Sequence, residues 1–131
     1  VLWPPAGEWK AENSTSLVLR MEYEGRSLLL TGDLEQNGEK RLLATGQTLR
    51  SDVLKLGHHG SRGASSLPFL TNISPDLVVV SGYPVRKDDP IHPELLARVS
   101  TVAARLVSTK TSGDVAIVLS SQGAVAWTTN P

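Results

Sequence analysis

The sequence predicts a layered α/β (α+β) domain, a mixed sheet with helices on one face. Three observations carry this reading. Short strand-like apolar runs alternate with segments of helical periodicity, DLVVVS at 76 to 81 is apolar without interruption, and the polar motifs all fall at strand ends. An unbroken apolar strand is expected where both faces of a sheet are covered. Polar motifs gathered at strand ends are expected of layered α/β folds, whose short loops converge over the edge of a rigid sheet.

Taken in order, VLWPPAGEWKAENS is rich in Pro, Gly and polar residues and reads as an extended edge segment followed by a loop, covering 1 to 15. Residues 16 to 23 (SLVLRMEY) alternate apolar and polar, Glu24-Gly25 makes a two-residue turn, and 26 to 30 (RSLLL) return as a second strand. Thr31-Gly32-Asp33 ends that strand. Leu34, Leu42 and Leu43 with Gly46 in the C-terminal cap position then fit a short helix. Residues 52 to 56 form a short strand, 65 to 70 a short helix, and 76 to 81 the covered strand. Pro93 stands at the first turn of a helix reaching about Ala104, with apolar residues at 95, 96, 99, 102 and 103. A strand over 105 to 108 and a hairpin of 115 to 119 with 124 to 128 close the chain. No internal repeat or low-complexity tract interrupts it.

The 131 residues, 40% hydrophobic and 20% charged, fit a single domain. Thirteen basic and thirteen acidic side chains cancel, so there is no chain-wide field for nucleic acid or anionic membrane and any phosphate contact is local. The absence of cysteine excludes disulfides, thiolate metal sites and a cysteine nucleophile, which leaves His, Asp and Glu as ligands for any metal. No apolar run approaches the roughly 20 residues of a membrane-spanning helix, so the segment is expected to be soluble and to make no membrane contact itself. It begins at Val1 rather than Met and reads as a piece of something longer.

Three motifs carry the chemistry. LLLTGD delivers Asp33 at the end of a buried strand, either as a site residue or as the N-cap of the following helix. LGHHGS places His58 and His59 side by side, as ligands or as solvated residues of a turn. The flanking Gly57 and Gly60 let the backbone crowd a small ion or a phosphate. Ser61 and Ser65 offer hydroxyls there, and Arg62 offers either a fork for phosphate or a solvated side chain. In DDPIHP, His92 precedes a proline where a helix starts, so a neutral structural histidine is its plain reading. Asp and His together suit zinc and its neighbours, though two such motifs leave three or four ligands wanting.

NSTSLVLRMEYEGRSLLLTGD, DVLKLGHHGS with SS shortly after, PDLVVVS and IHPELL together resemble the metallo-β-lactamase-fold domain of the ComEC family, the DNA internalisation competence proteins. The likeness runs over nearly the whole chain. It implies that residues 1 to 131 are the C-terminal half of an αββα sandwich, whose other half carries an HxHxDH-type or HxDxDH motif and most of the ligands for two divalent ions, zinc or manganese. Asp33 is then the bridging carboxylate and His58 the final ligand. His59 becomes a neighbouring or substrate contact, and His92, with Ser61, steadies the phosphate or protonates the leaving oxygen. Ser61, Arg62, Ser65 and His92 form the substrate contacts. Ile91 stands where the family has glycine, and VRKDD replaces the usual asparagine and tyrosine of the preceding loop.

The resemblance implies a metal-dependent phosphodiesterase or nuclease acting on single-stranded DNA, in a soluble domain of a bacterial inner-membrane protein. The competing reading is a non-catalytic scaffold or binding module, with a hydrolase of small phosphoesters such as phosphocholine as a third. Alone, the chain is expected to be inactive and to bind metal weakly or not at all. Without its other half it is expected to expose an apolar sheet face, through which a homodimer could form.

Overall fold

In a computed structural model of the chain, residues 1–7, 12–82 and 91–129 are described. Strands β1 (Leu19–Tyr23) and β2 (Arg26–Leu30) form the expected hairpin, and β3 (Val53–Lys55), β4 (Leu77–Val80) and β5 (Arg105–Ser108) follow in spatial order β1-β2-β3-β4-β5. Within this five-stranded sheet β1 and β2 pair antiparallel, and β2 to β5 run parallel. The parallel strands therefore present all their C-terminal ends at one rim, which is where a site must lie.

Helices α1 (Gln36–Ala44), α2 (Leu67–Ile73) and α3 (Pro93–Thr101) connect them, with Pro93 at the first turn of α3 as its fixed φ favours. Each helix start and stop falls within a few residues of the sequence pattern. A short α4 (Thr109–Ser112), which the pattern does not indicate, leads into the closing hairpin β6 (Val115–Ser120) and β7 (Gly123–Thr128). Leu2 and Trp3 pair with Val18 through Leu2 N–H to Val18 O at 2.9 Å and Val18 N–H to Trp3 O at 3.0 Å, so the opening segment docks along the edge of β1.

Strand alternation sorts the core into two faces. Leu29, Leu54, Val78 and Val80 point to the helices and meet Leu42, Phe69, Leu70, Ile73, Leu95 and Val99 in one buried cluster. Val53, Leu77 and Val79 point the other way and are covered by Val115, Ile117, Leu119, Ala124 and Ala126 of the hairpin. Here the structure corrects the expectation of an exposed sheet face. The hairpin folds back across it, because its own inward residues alternate with outward ones. What it leaves in solvent is its far side, where Val118, Val125 and Trp127 are exposed.

Among the described residues no helix is long and apolar enough to cross a membrane.

Candidate functional site

The rim is assembled from four successive strand ends. Asp33 follows β2, His58 and His59 follow β3, Ser81-Gly82 follow β4, and Thr109-Lys110 follow β5. His92 joins them from the start of α3.

The two histidines sit in a 3-10 turn over Gly57–Gly60, and both adopt left-handed backbone, His58 at φ 44° and His59 at φ 54°. For non-glycine residues this conformation costs about 1–2 kcal/mol each, and such strain persists where the surroundings over-determine it. Gly57 shows how. A Cβ there would lie 2.6 Å from the Leu34 carbonyl oxygen and 3.3 Å from Ala64 Cβ, so the ends of β2 and β3 can close only on a bare backbone. Gly60, at φ 79°, leaves room for Val80 and Leu95. Both glycines let the turn pack closely against the core.

The turn points the rings apart. His58 Nδ1 shares a 2.8 Å hydrogen bond with Glu35 Oε1, whereas His59 Nδ1 donates to the Ser81 carbonyl at 2.8 Å and turns Nε2 toward Asp33 Oδ1 at 3.5 Å. Because a carbonyl only accepts, the proton of a neutral His59 lies on Nδ1 and Nε2 carries the lone pair. In that tautomer the Nε2 lone pair and the carboxylate face each other as two half-exposed acceptors. Asp33 thus meets His59 directly, while its expected companion His58 is held by Glu35. Asp33 does not cap a helix: α1 begins at Gln36 with Glu35 in the cap position, and the Asp33 amide donates to Ser16 Oγ at 3.2 Å.

Three charged groups behind the rim shape it. The Glu35 carboxyl is held below its ordinary range by hydrogen bonds from Asn13 and then His58. Burial pushes the Lys55 amine down, against the pull of the Asp33 carboxylate, and its Nζ donates to the Leu56 carbonyl at 3.3 Å and the Gly32 carbonyl at 3.5 Å. Glu39 is 1% exposed, and burial raises its pKa even though the Ser65 and Ser66 amides donate to its two oxygens. It ties down the loop that follows the histidines. Ser65, also 1% exposed, belongs to the same brace, since its hydroxyl accepts from the Gly57 amide at 3.3 Å. That engagement makes Ser65 a support of the loop rather than an open contact surface.

On the outer side lies a pocket of about 330 Å³ lined by His58, His59, Ser61, Arg62, His92 and Lys110. The Ser61 hydroxyl is buried there without a hydrogen-bond partner among the described residues. Arg62 pairs with Glu94 Oε2 at 3.0 Å. His92 caps α3, its Nδ1 accepting from the Glu94 amide at 3.3 Å, as its plain structural reading predicts, and its ring still lines the pocket. The loop residues at 85 to 89 that depart from the family pattern lie outside the described residues.

Imidazole nitrogen and carboxylate oxygen are suitable donors for zinc or manganese. Their number is not sufficient. A zinc site takes at least three protein ligands, and among the described residues no three His, Asp or Glu side chains converge to hold a metal ion.

Sequence reasoning missed Glu35, Glu39, Lys55 and Lys110. Lys55 leaves a trace, a cation inside the otherwise apolar VLKL; Glu35 stands two residues from Asp33. Nothing in the local pattern distinguishes Lys110.

Fold and rim together define an α+β domain with a pocket lined by imidazoles, Arg62 and Lys110 at the C-terminal ends of its parallel strands. No family model matches the chain. It is similar to ComE operon protein 3 of Bacillus subtilis, 34% identical over 115 residues that make up 88% of this chain and 15% of that protein. Competence protein ComA of Neisseria gonorrhoeae is 49% identical over 74 residues, 55% of this chain and 11% of its own length. Recombination protein 2 of Haemophilus influenzae is 31% identical over 108 residues, 82% of this chain and 14% of that protein. The chain thus spans only a small part of each of these relatives.

Proposed function

We propose that this chain is the C-terminal half of a metallo-β-lactamase-like domain that hydrolyses phosphodiesters, with single-stranded DNA as substrate, within a DNA-uptake protein of the bacterial inner membrane. The observation that carries the reading is the pairing of Asp33 with His59 Nε2 beside a pocket lined by imidazoles and cations. A relative named for competence adds the biological setting.

Two divalent ions, completed by ligands from outside this chain, would supply an activated water and neutralise charge on the phosphate. The chain's own residues do the rest. Asp33 and the histidine pair form one wall of the site, braced from behind by Glu35 and Lys55. Arg62 and His92 hold the phosphate, and Ser61 offers a hydroxyl to it.

The test is an assay of the longer protein against single-stranded DNA and against a small chromogenic phosphodiester. Hydrolysis of DNA that is lost in both Asp33→Ala and His59→Ala supports the reading. Cleavage of the small ester alone would point to a small-phosphoester hydrolase. DNA binding without cleavage of either substrate would favour the second reading, a non-catalytic binding module.

Self-association belongs to the same proposal, with its surface moved to the outer side of β6–β7. A clean monomer at high concentration in light scattering would remove it.

A further inference from the structure

The loop over 61 to 66 brings Ser61 and Arg62 to the pocket, yet much of its backbone is held by groups on two helices outside it. The Glu39 carboxylate on α1 accepts from the Ser65 amide at 2.5 Å and from the Ser66 amide at 2.9 Å. Arg98 on α3 donates through one terminal nitrogen to the Arg62 carbonyl at 3.2 Å and the Ala64 carbonyl at 3.0 Å. Between these, the Gln36 amide at the start of α1 donates to the Gly63 carbonyl at 3.0 Å. An anion thus takes the loop's donors and a cation its acceptors. Within the loop itself the Ala64 amide reaches the Ser61 carbonyl at a longer 3.3 Å.

Buried polar groups persist where they are hydrogen-bonded. Glu39 is enclosed in the core, where burial raises its pKa and the bonds from Ser66 and Ser65, then the charge of Arg98, oppose that rise. Arg98 Nε is buried without a hydrogen-bond partner among the described residues, so the guanidinium is anchored through the loop carbonyls. Ser65 is left-handed, at φ 55°, a conformation that persists where the surroundings fix it. The same grip ties the three motifs together. Asp33 precedes α1, the loop follows the histidine turn, and His92 caps α3.

We propose that Glu39 and Arg98 are positioning residues of the site, gripping the 61–66 loop from α1 and from α3 so that Ser61 and Arg62 are presented to the pocket in one geometry. Both act through the loop. The consequence for substrate binding rests on the phosphodiester reading above; the grip itself does not.

Amide hydrogen exchange in the chain reads the grip, with Glu39→Gln, Arg98→Met and the double variant compared with wild type. Loss of either charged partner should speed exchange at the Ser65 and Ser66 amides about tenfold, while the Leu56 amide, bonded to the Val79 carbonyl, keeps its rate. The double variant should exchange no faster than the faster single variant, because the grip fails when either side is lost. Arg98→Lys, which keeps a charged donor, should recover most of the protection. Unchanged exchange at Ser65 and Ser66 in Arg98→Met would overturn the proposal, even if Glu39→Gln does not fold. So would separate effects that multiply in the double variant. In the longer protein, each single variant should raise KM for single-stranded DNA about tenfold and leave kcat within about twofold, since Asp33 and His59 lie outside the loop. A loosened loop with KM unchanged would overturn the positioning role. No hydrolysis by the wild-type protein would remove the phosphodiester reading, and the exchange pattern would then decide the grip alone.

Discussion

Asp33 Oδ1 and His59 Nε2 face each other at 3.5 Å across the ends of β2 and β3. The Ser81 carbonyl fixes the His59 tautomer from behind, so this is a contact of two acceptors unless something positive lies between them. His58, one residue earlier, is turned away by Glu35.

Zinc titration of the chain reads this relationship. Binding is expected to be weak, and Asp33→Ala and His59→Ala should each remove what there is, while His58→Ala should leave more of it. Submicromolar zinc affinity in the wild-type chain would contradict the two-donor account. Greater loss from His58→Ala than from His59→Ala would move the Asp33 partnership to the other ring.

Gly57 has no room for a side chain. A methyl group there would meet the Leu34 carbonyl oxygen at 2.6 Å, so Gly57→Ala must pull β2 and β3 apart at the rim. A loss of about 3 kcal/mol in urea unfolding is expected. A near-neutral result would mean that the two strand ends separate easily, and that the rim is not rigid.

Left-handed backbone at His58 and His59 gives a different signature. Glycine adopts that conformation without the Cβ penalty, so His59→Gly should be more stable than His59→Ala by about 1 kcal/mol. The same order is expected for His58. Both glycine variants should nonetheless lose whatever the rings bind. Stability retained while ligand binding is lost identifies a turn kept for its side chains, and equal stability of the alanine and glycine variants would show that the turn is relaxed.

Most of the framework was legible because alternation and helical periodicity are local signals. SLVLRMEY-EG-RSLLL reads as a hairpin and folds as one, and DLVVVS is covered on both faces. The reach of β6–β7 across the sheet was not legible, since hairpin residues say which side is apolar but not what that side will meet. At the site, TGD and HHGS announced the rim. Which ring would face Asp33 depended on the left-handed turn, the Glu35 carboxylate and the Ser81 carbonyl, three features brought together only by folding. Lys110, far from every motif, is placed by the order of strands alone.

At the opposite end of the sheet, Asp52 offers a control that separates fold from site. Burial would raise its pKa, but the Ser27 amide at 2.7 Å, the Ser27 hydroxyl at 3.0 Å and Arg26 at 3.1 Å outweigh it, and the carboxyl is held below its ordinary range. A depressed native pKa means that the unfolded chain takes up the proton first as pH falls. The stabilisation is therefore complete above the ordinary carboxylate range and drains away as pH drops through the native value. Asp52→Asn should cost about 2 kcal/mol near neutral pH, where the charged acceptor is lost, and should flatten the acid limb of a plot of stability against pH. Oligonucleotide binding should be unchanged by it, because Asp52 lines the far end of the strands and not the histidine pocket. An unaltered acid limb would show that Ser27 and Arg26 do not hold the carboxylate in solution as they do in the fold.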